Sequence, residues 1–242
     1  MLIGDSDDHH FIRLNADEPY RVAATLHLGA LLLSDPSFDR DNSSAEWESA
    51  WVLGFRSYSE RKAALNRCSA HMPPSEFCCY PEEGFARFEG DSMLFICDFS
   101  TLGCEPHFGG HNHCDMGSFV LCYKNEPVLI DPGTYTYRRC RGSHGIKWRD
   151  FLRSSRAHNV VSVDGKSQAG QVGDFDYRQW PNARLLAAGG GEGRYLIVGE
   201  HDAYFDIVGR SMRLFVIDDA FLAVLDWFPD ALGRHDYESN FV

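Results

Sequence analysis

The sequence predicts a mainly β protein, in which a large antiparallel β-sandwich follows a few helices. Apolar residues recur at helical spacing up to about residue 70, and from about residue 75 they form short runs of strand length. No helical pattern separates these runs, which favours an antiparallel sandwich or barrel over a parallel sheet. We therefore predict a helical segment over residues 1–72 and a β-sandwich over residues 73–242.

The helical segment is predicted to contain two helices. Pro19 is typical of a first helical turn, and an apolar stripe then runs to Leu33. A second helix is predicted to start at Ser43 or Ser44, because serine is a common N-cap residue, and Gly54 marks its end.

The sandwich segment contains nine runs of strand length, each bounded by Gly, Asp, Asn or Pro. The runs are Phe85–Glu89, Asp91–Phe99, Ser118–Tyr123, Pro127–Asp131, Asn159–Asp164, Arg184–Ala188, Tyr195–Gly199, Ile207–Ile217 and Phe221–Phe228. Asp164-Gly165 is typical of a tight turn, and the triplet Gly189-Gly190-Gly191 predicts a loop.

Composition and charge exclude several classes of protein. The 242 residues are 44% hydrophobic, which excludes a disordered chain. They carry 23 basic and 35 acidic side chains, and the net charge of −12 argues against a general nucleic-acid binder. The most apolar early stretch, residues 23–33, is too short to span a membrane, and residues 1–10 do not have the pattern of a secretion signal. We therefore expect neither membrane insertion nor a signal peptide within this chain.

Four residues of the sandwich segment are candidate metal ligands. His111 and His113 are two residues apart, so an extended segment would place both imidazoles on the same side. Asp131 ends one predicted strand, and His158 precedes another. Two or three histidines with one aspartate are typical of a zinc site. The alternatives are a hydrogen-bonded histidine pair, a turn-capping aspartate and a buried histidine bonded to the backbone.

A basic segment lies between Asp131 and His158. Residues 138–156 contain seven of the 23 basic residues and one acid, Asp150. Arginine binds carboxylate or sulfate groups through pairs of hydrogen bonds. The segment therefore predicts an anion-binding loop, with a solvated loop of mixed salt bridges or a surface for a protein partner as alternatives.

The ordered set of motifs resembles the C-terminal part of the heparinase II/III-like polysaccharide lyases. The motifs are His111-x-His113-x-Asp115-x-x-Ser118-Phe119, Pro127-Val-Leu-Ile-Asp131-Pro-Gly-Thr-Tyr135, Arg153-Ser-x-Arg-Ala157-His158-Asn159-Val and Asp164-Gly165. The resemblance implies an α/α toroid followed by an antiparallel β-sandwich, with the active site between them. It implies that residues 1–72 are the end of a truncated toroid and that residues 73–242 are most of the sandwich, truncated at its C-terminus.

The resemblance also implies roles for individual residues. His111 matches the catalytic-site histidine, and Tyr135 and Tyr137 lie where substrate-facing tyrosines are expected. Asp115 matches a recurrent position, for which we expect a role in support of the metal ligands. The residues that match the ligands of one structural zinc ion per chain are His113, Asp131 and His158. The residues expected to hold acidic sugars are Arg138, Arg149, Arg153 and Arg156.

The implied chemistry is β-elimination at a uronic acid of an acidic polysaccharide. The C5 proton is barely acidic beside a charged carboxylate, so the site must neutralise that carboxylate before a base removes the proton. A tyrosine or histidine then protonates the leaving O4. We expect His111 to act as the base or as the carboxylate neutraliser. The resemblance implies a bacterial periplasmic or cell-envelope protein, and heparan-type chains, alginate and bacterial exopolysaccharides are all compatible substrates.

Two other functions fit parts of the sequence. A metal enzyme of the cupin kind also uses His-x-His on a strand, but that pattern needs a glutamate soon after the second histidine. The residues after His113 read Cys-Asp-Met-Gly-Ser-Phe, without glutamate. A non-catalytic, metal-containing β-sandwich that binds acidic glycans fits the same motifs as the lyase and is the main alternative.

Overall fold

The computed structural model of the chain describes residues 22–38, 46–67, 76–103, 111–134, 137 and 147–242. These residues belong to two compact units, one helical (22–67) and one made mainly of β-strands (76–242). The chain is mainly β with antiparallel sheets and a few helices, as the sequence predicts. Tyr135 and Arg138 lie outside the described residues, as do the predicted helix starts at Pro19 and at Ser43 or Ser44.

The helical unit contains three α-helices among its described residues. They are α1 (Val22–Leu33), α2 (Glu46–Leu53) and α3 (Phe55–Leu65), and a short 3-10 helix (Pro36–Phe38) follows α1. Gly54 separates α2 from α3 with a φ of 77°, a backbone conformation that favours glycine. The sequence predicts only α1 and α2, because α3 has too few apolar residues to form a stripe. No helix in the described ranges is long and apolar enough to cross a membrane.

The β unit contains thirteen strands among its described residues, and all their pairings are antiparallel. The strands are β1 (Phe77–Tyr80), β2 (Phe85–Glu89), β3 (Met93–Asp98), β4 (Ser118–Tyr123), β5 (Glu126–Leu129), β6 (Val161–Val163), β7 (Gln171–Val172), β8 (Asp176–Tyr177), β9 (Ala183–Gly191), β10 (Arg194–His201), β11 (Ser211–Asp218), β12 (Phe221–Trp227) and β13 (Tyr237–Ser239). Each of the nine predicted runs overlaps a strand. The short helices of this unit are α4 (Trp148–Leu152) and α5 (Phe205–Val208), and α5 takes the first two residues of a run predicted as strand.

Two sheets pack face to face and enclose the main core. One sheet has the order β1-β2-β3-β4-β5, and the other has the order β12-β11-β10-β9. Alternate residues of β3 and β11 are buried, as expected for strands with one face toward a core. Phe215 of the second sheet meets Phe95 and Phe119 of the first, with ring centroids 5.0 and 5.2 Å apart. Burial of each such ring contributes about 2–3 kcal/mol to folding.

The triplet Gly189-Gly190-Gly191 forms the end of β9, so the predicted loop is wrong. The turn between β9 and β10 consists instead of Glu192 and Gly193, whose φ values are 55° and 76°. A Cβ atom on Gly190 would lie 2.1 Å from the carbonyl oxygen of Arg194. The glycine therefore permits a close approach of β10, a role that sequence composition does not distinguish from a flexible loop.

Two buried polar side chains join the segments that flank β4, β5 and β6. The side-chain amide of Asn159 donates hydrogen bonds to the carbonyl oxygens of Phe119 (2.7 Å) and Ile130 (3.0 Å). One guanidinium nitrogen of Arg213 donates to the carbonyl oxygens of Gly117 (2.8 Å) and Asn159 (2.6 Å). These bonds fix the ends of three strands to each other, and the candidate ligands lie on the same segments.

Candidate metal centre and active site

Three of the predicted ligands converge in the β unit. His113 lies in the segment before β4, Asp131 follows β5, and His158 precedes β6. One ligand atom of each residue lies within 4.8 Å of the other two, and all three side chains are buried. Among the described residues, this is the one such group of three. Three such donors could hold a metal ion, as in sites with three protein ligands.

The carboxylate of Asp131 is oriented by the turn that follows it. Its Oδ1 accepts a hydrogen bond from the backbone N–H of Gly133 at 2.8 Å, and the φ of Gly133 is 62°. Its Oδ2 lies 3.6 Å from Nδ1 of His158. The alternative interpretation, in which Asp131 only caps a turn, therefore accounts for one carboxylate oxygen. The other oxygen faces a histidine.

The tautomer of His158 follows from its hydrogen bond to the backbone. Its Nε2 lies 2.8 Å from the carbonyl oxygen of Leu152, and because a carbonyl only accepts, Nε2 carries the hydrogen. In the neutral ring, Nδ1 then presents a lone pair toward Asp131, as metal-binding histidines do. Two such acceptors face each other stably when a proton or a cation lies between them. Two ligands of a tetrahedral zinc ion are about 3.4 Å apart, so the donor types and their spacing fit zinc.

The charge around the centre favours a bound cation. Burial lowers the pKa of His158, but the facing carboxylate of Asp131 and the charge of Asp115 outweigh burial and raise it. Burial raises the pKa of Asp115, and Asp131 raises it further, although the two histidines act in the opposite direction. Burial, together with the charge of Asp115, raises the pKa of Asp98 to about 7. A cation bound here would offset the repulsion among these carboxylates.

The two histidines of the His-x-His motif lie in different environments. His113 is buried, and its ring centroid lies 5.1 Å from that of His158. His111 is exposed in a turn, and residues 111–113 belong to no strand. The prediction that both imidazoles lie on the same side is therefore wrong, because it assumed an extended strand.

His111 contacts the hydroxyl group of Tyr137. Its Nδ1 lies 3.2 Å from Oη of Tyr137, and the two rings meet edge to face with centroids 5.6 Å apart. Either group can donate the shared hydrogen. A proton donor and a proton acceptor are thus in contact at an exposed position, two residues along the chain from His113.

Arg149 is buried beneath this pair instead of reaching solvent. Its guanidinium stacks on the rings of Tyr137 and Phe175, 5.0 Å from each centroid. It donates to the carbonyl oxygen of Asp174 at 3.1 and 2.9 Å and to the hydroxyl of Thr134. The prediction that Arg149 contacts the substrate is therefore wrong. Its guanidinium instead bonds to Thr134, which follows Asp131 in the chain, and stacks on the ring of Tyr137.

The other described arginines of the basic segment differ in exposure. Arg153 is fully buried, donates to carbonyl oxygens within residues 173–176 and lies 4.6 Å from the ring centroid of Tyr177. The prediction that Arg153 contacts the substrate is wrong for the same reason, because protein groups occupy its donors. The side chain of Arg156 is 61% exposed and lies 3.9 Å from Glu238, which leaves it accessible to a ligand.

These features define a β-sandwich protein with a three-ligand candidate metal centre and an exposed histidine–tyrosine pair. The family model described as heparinase II/III-like, C-terminal, matches residues 72–242, and the chain belongs to this family. The resemblance inferred from the motifs is thereby confirmed. The family and its similar solved structures are polysaccharide lyases.

Solved structures of lyases share the fold. A heparinase III described as the BT4657 gene product has a TM-score of 0.52 and 16% identity over 76% of this chain. A second heparinase III has a TM-score of 0.50 and 20% identity over 73% of this chain. Heparan sulfate lyase HepC from Pedobacter heparinus has a TM-score of 0.51 and 16% identity over 76% of this chain. The present chain covers only 27% to 28% of these three chains, and at such identities the similarity shows the fold alone. Comparison with curated proteins gives no match.

Proposed function

We propose that the chain is part of a polysaccharide lyase that cleaves a uronate-containing polysaccharide by β-elimination. The contact between Nδ1 of His111 and Oη of Tyr137 carries this proposal, because it joins a proton donor and acceptor at an exposed position. Membership of the heparinase II/III-like family supports it. Solved structures named heparinase III and heparan sulfate lyase share the fold, so heparan sulfate is one of the substrates to test.

β-Elimination requires two proton transfers and the neutralisation of one charge. A base removes the C5 hydrogen, the C4=C5 double bond forms as the C4–O4 bond breaks, and an acid protonates the leaving O4. Donors or positive charge near the uronate carboxylate lower the energy of the enolate-like intermediate. A histidine in contact with a tyrosine supplies an acceptor and a donor for these transfers.

His111 is the group in direct contact with the reacting sugar. When Tyr137 accepts the shared hydrogen, Nε2 of His111 has a lone pair and removes the C5 proton. When Tyr137 donates it, Nε2 carries a hydrogen and binds the carboxylate instead, and further catalytic groups on the toroid then remove the C5 proton and protonate O4. In the first arrangement Tyr137 keeps its own hydroxyl hydrogen and protonates O4, and Tyr135 faces the substrate as its neighbour in sequence. Flanking acidic groups bind the exposed Arg156 together with Arg138.

His113, Asp131 and His158 hold one structural zinc ion. The tautomer of His158 and the 3.6 Å between its Nδ1 and Asp131 Oδ2 support this assignment. A bound zinc ion supplies a rigid cross-link among three segments and takes no part in proton transfer. The chain's own contribution is to hold His111, two residues before His113, at a fixed place in the site.

Family membership extends the proposal beyond the described residues. We assign residues 1–72 to the end of an α/α toroid and residues 73–242 to the sandwich, with further catalytic groups on the rest of the toroid. The protein then acts on extracellular polysaccharide in the bacterial periplasm or cell envelope. The alternative remains a non-catalytic sandwich that binds acidic glycans through the same residues.

Turnover of heparan sulfate and alginate tests the function, with the ultraviolet absorbance of the new C4=C5 bond as the readout. We expect His111→Ala to lower turnover at least about 100-fold without loss of folded structure. His235→Ala is the matched control, because His235 pairs with Asp164 outside the site and its loss leaves turnover unchanged. Turnover retained by His111→Ala would refute the catalytic assignment. Binding of acidic glycans without turnover, also in the longest protein that contains this chain, would support the non-catalytic alternative.

A further inference from the structure

A cleft lies in the β unit, apart from the histidine–tyrosine pair and the candidate metal ligands. Its cavity volume is about 890 Å³, and none of those residues lines it. Residues 166–171, 178–181 and 202–207 form its walls. The volume is within the range of about 300–1,000 Å³ that is typical of small-ligand sites.

Aromatic side chains form part of the cleft. Phe205, on the short helix α5, is 60% exposed, although phenylalanine is normally buried. Trp180 is half-buried, and its ring lies edge to face on Tyr177 with centroids 6.0 Å apart. Aromatic ring faces of this kind pack well against the C–H face of a sugar ring, while polar groups around them bind its hydroxyls.

The part of the cleft formed by Gly170, Arg178 and Gln179 presents oriented polar groups. The backbone of Gly170 accepts a hydrogen bond from the N–H of Arg178 at 2.8 Å and donates one to Oε1 of Gln179 at 3.0 Å. Because Oε1 accepts this bond, the NH₂ end of Gln179 remains a donor. A Cβ atom on Gly170 would lie 3.3 Å from both side chains, so glycine lets them lie close over the backbone.

Two basic side chains, Lys166 and Arg178, and two acidic ones, Asp202 and Asp206, line the cleft. Neither Lys166 nor Arg178 forms an ion pair within the part of the chain that the structure describes. Asp202 is occupied by donors of Asn182, at 2.7 Å from its N–H and 3.4 Å from its amide. Asp206, on α5, repels an anion, which therefore binds more favourably at Arg178. The ligand is thus expected to place its charge on Arg178 and its ring near α5.

We propose that this cleft is a second, non-catalytic saccharide site that binds a short acidic oligosaccharide. Arg178 binds a carboxylate or sulfate, Gln179 donates to a hydroxyl, and Phe205 packs against a ring face. The choice of an acidic saccharide as the ligand rests on the proposed function. The site would hold the polysaccharide away from the reacting sugar and so increase its residence on the protein.

Calorimetric titration of the 242-residue chain with a size-defined heparan-type oligosaccharide tests the site, with an uncharged glucan oligosaccharide as the second probe. We expect Arg178→Ala and Phe205→Ala each to weaken binding of the acidic probe about tenfold. Arg234→Ala and Phe221→Ala are matched controls, since both residues are exposed and neither lines the cleft. Both controls should bind as the parent does.

The outcomes separate this proposal from the proposed function. Loss of binding in the cleft variants, with His111→Ala unaffected, supports the cleft even in a preparation that shows no turnover. Unchanged binding in Arg178→Ala and Phe205→Ala overturns the cleft and leaves the lyase proposal intact. Equal affinity for the uncharged probe overturns the assignment of an acidic ligand. Arg178→Lys keeps the positive charge but loses the paired donors of the guanidinium, so it should bind more weakly than the parent and more tightly than Arg178→Ala.

Discussion

The Nδ1 atom of His158 and the Oδ2 atom of Asp131 face each other across 3.6 Å in the interior of the β unit. The backbone sets this relationship from both sides. Leu152 binds the far nitrogen of His158, and Asn159 bonds to the carbonyl of Ile130, the residue before Asp131. The ligand positions are therefore built into the fold, and a metal ion would bind to a largely preformed site.

Arg213 is expected to be a major source of stability for the segments around the site. Arg213→Met removes the partner of Asp226 and of two buried carbonyl oxygens, so we expect a loss of about 3–5 kcal/mol in the free energy of unfolding. Arg194→Met is the matched control, since Arg194 pairs with Asp218 at the surface and its loss should cost only about 0–1 kcal/mol. Urea unfolding measures both values, and equal losses would contradict the framework role of Arg213.

Gly190 is expected to be intolerant of any side chain, because β10 approaches it closely. Gly190→Ala should lower the free energy of unfolding by about 1–3 kcal/mol, since its Cβ would meet the backbone at Arg194. Gly189→Ala is the control in the same strand, because a Cβ there has no neighbour within 4 Å. Thermal unfolding of the two variants distinguishes a strand from a loop, for which both changes would be equally mild.

An NMR pH titration should find the pKa values of two histidines shifted in opposite directions from 6.5. The hydrogen bond to Asp164 raises the pKa of His235 above 6.5, whereas burial, with the charge of Arg213, lowers the pKa of His201 to about 3. His235 therefore stabilises the fold below pH 6.5, and this contribution is lost as the pH rises through its raised pKa. For His201, the unfolded chain binds a proton that the folded chain does not, so stability is lost as the pH falls from 6.5 toward 3.

Asp164→Asn serves as the control for this titration. It should return the pKa of His235 toward its ordinary value and leave that of His201 unchanged. Titration of both histidines near 6.5 in the parent chain would contradict the hydrogen bond at His235 and the burial of His201.

Local patterns in the sequence were sufficient for nine of the thirteen described strands, but not for β1, β7, β8 and β13, whereas the grouping of the three ligands followed from the family resemblance. Buried strands have apolar runs, and Asp131 and His158 stand at the ends of such runs. Arg149 and Arg153 were not predictable, because a run of charges indicates a solvated loop and their partners lie about 20 to 25 positions further along the chain. The direction of His111 was missed for a related reason, since only the fold shows that its segment is not a strand.

The metal content of the purified chain, measured by mass spectrometry, tests whether His113, Asp131 and His158 hold a zinc ion. We expect about one zinc ion per chain, and its loss in a His113→Ala, His158→Ala double variant. His235→Ala should retain the metal, since that residue lies outside the ligand group. A folded parent chain that binds no metal, or a double variant that retains it, would contradict the assignment of His113, Asp131 and His158 as the metal centre.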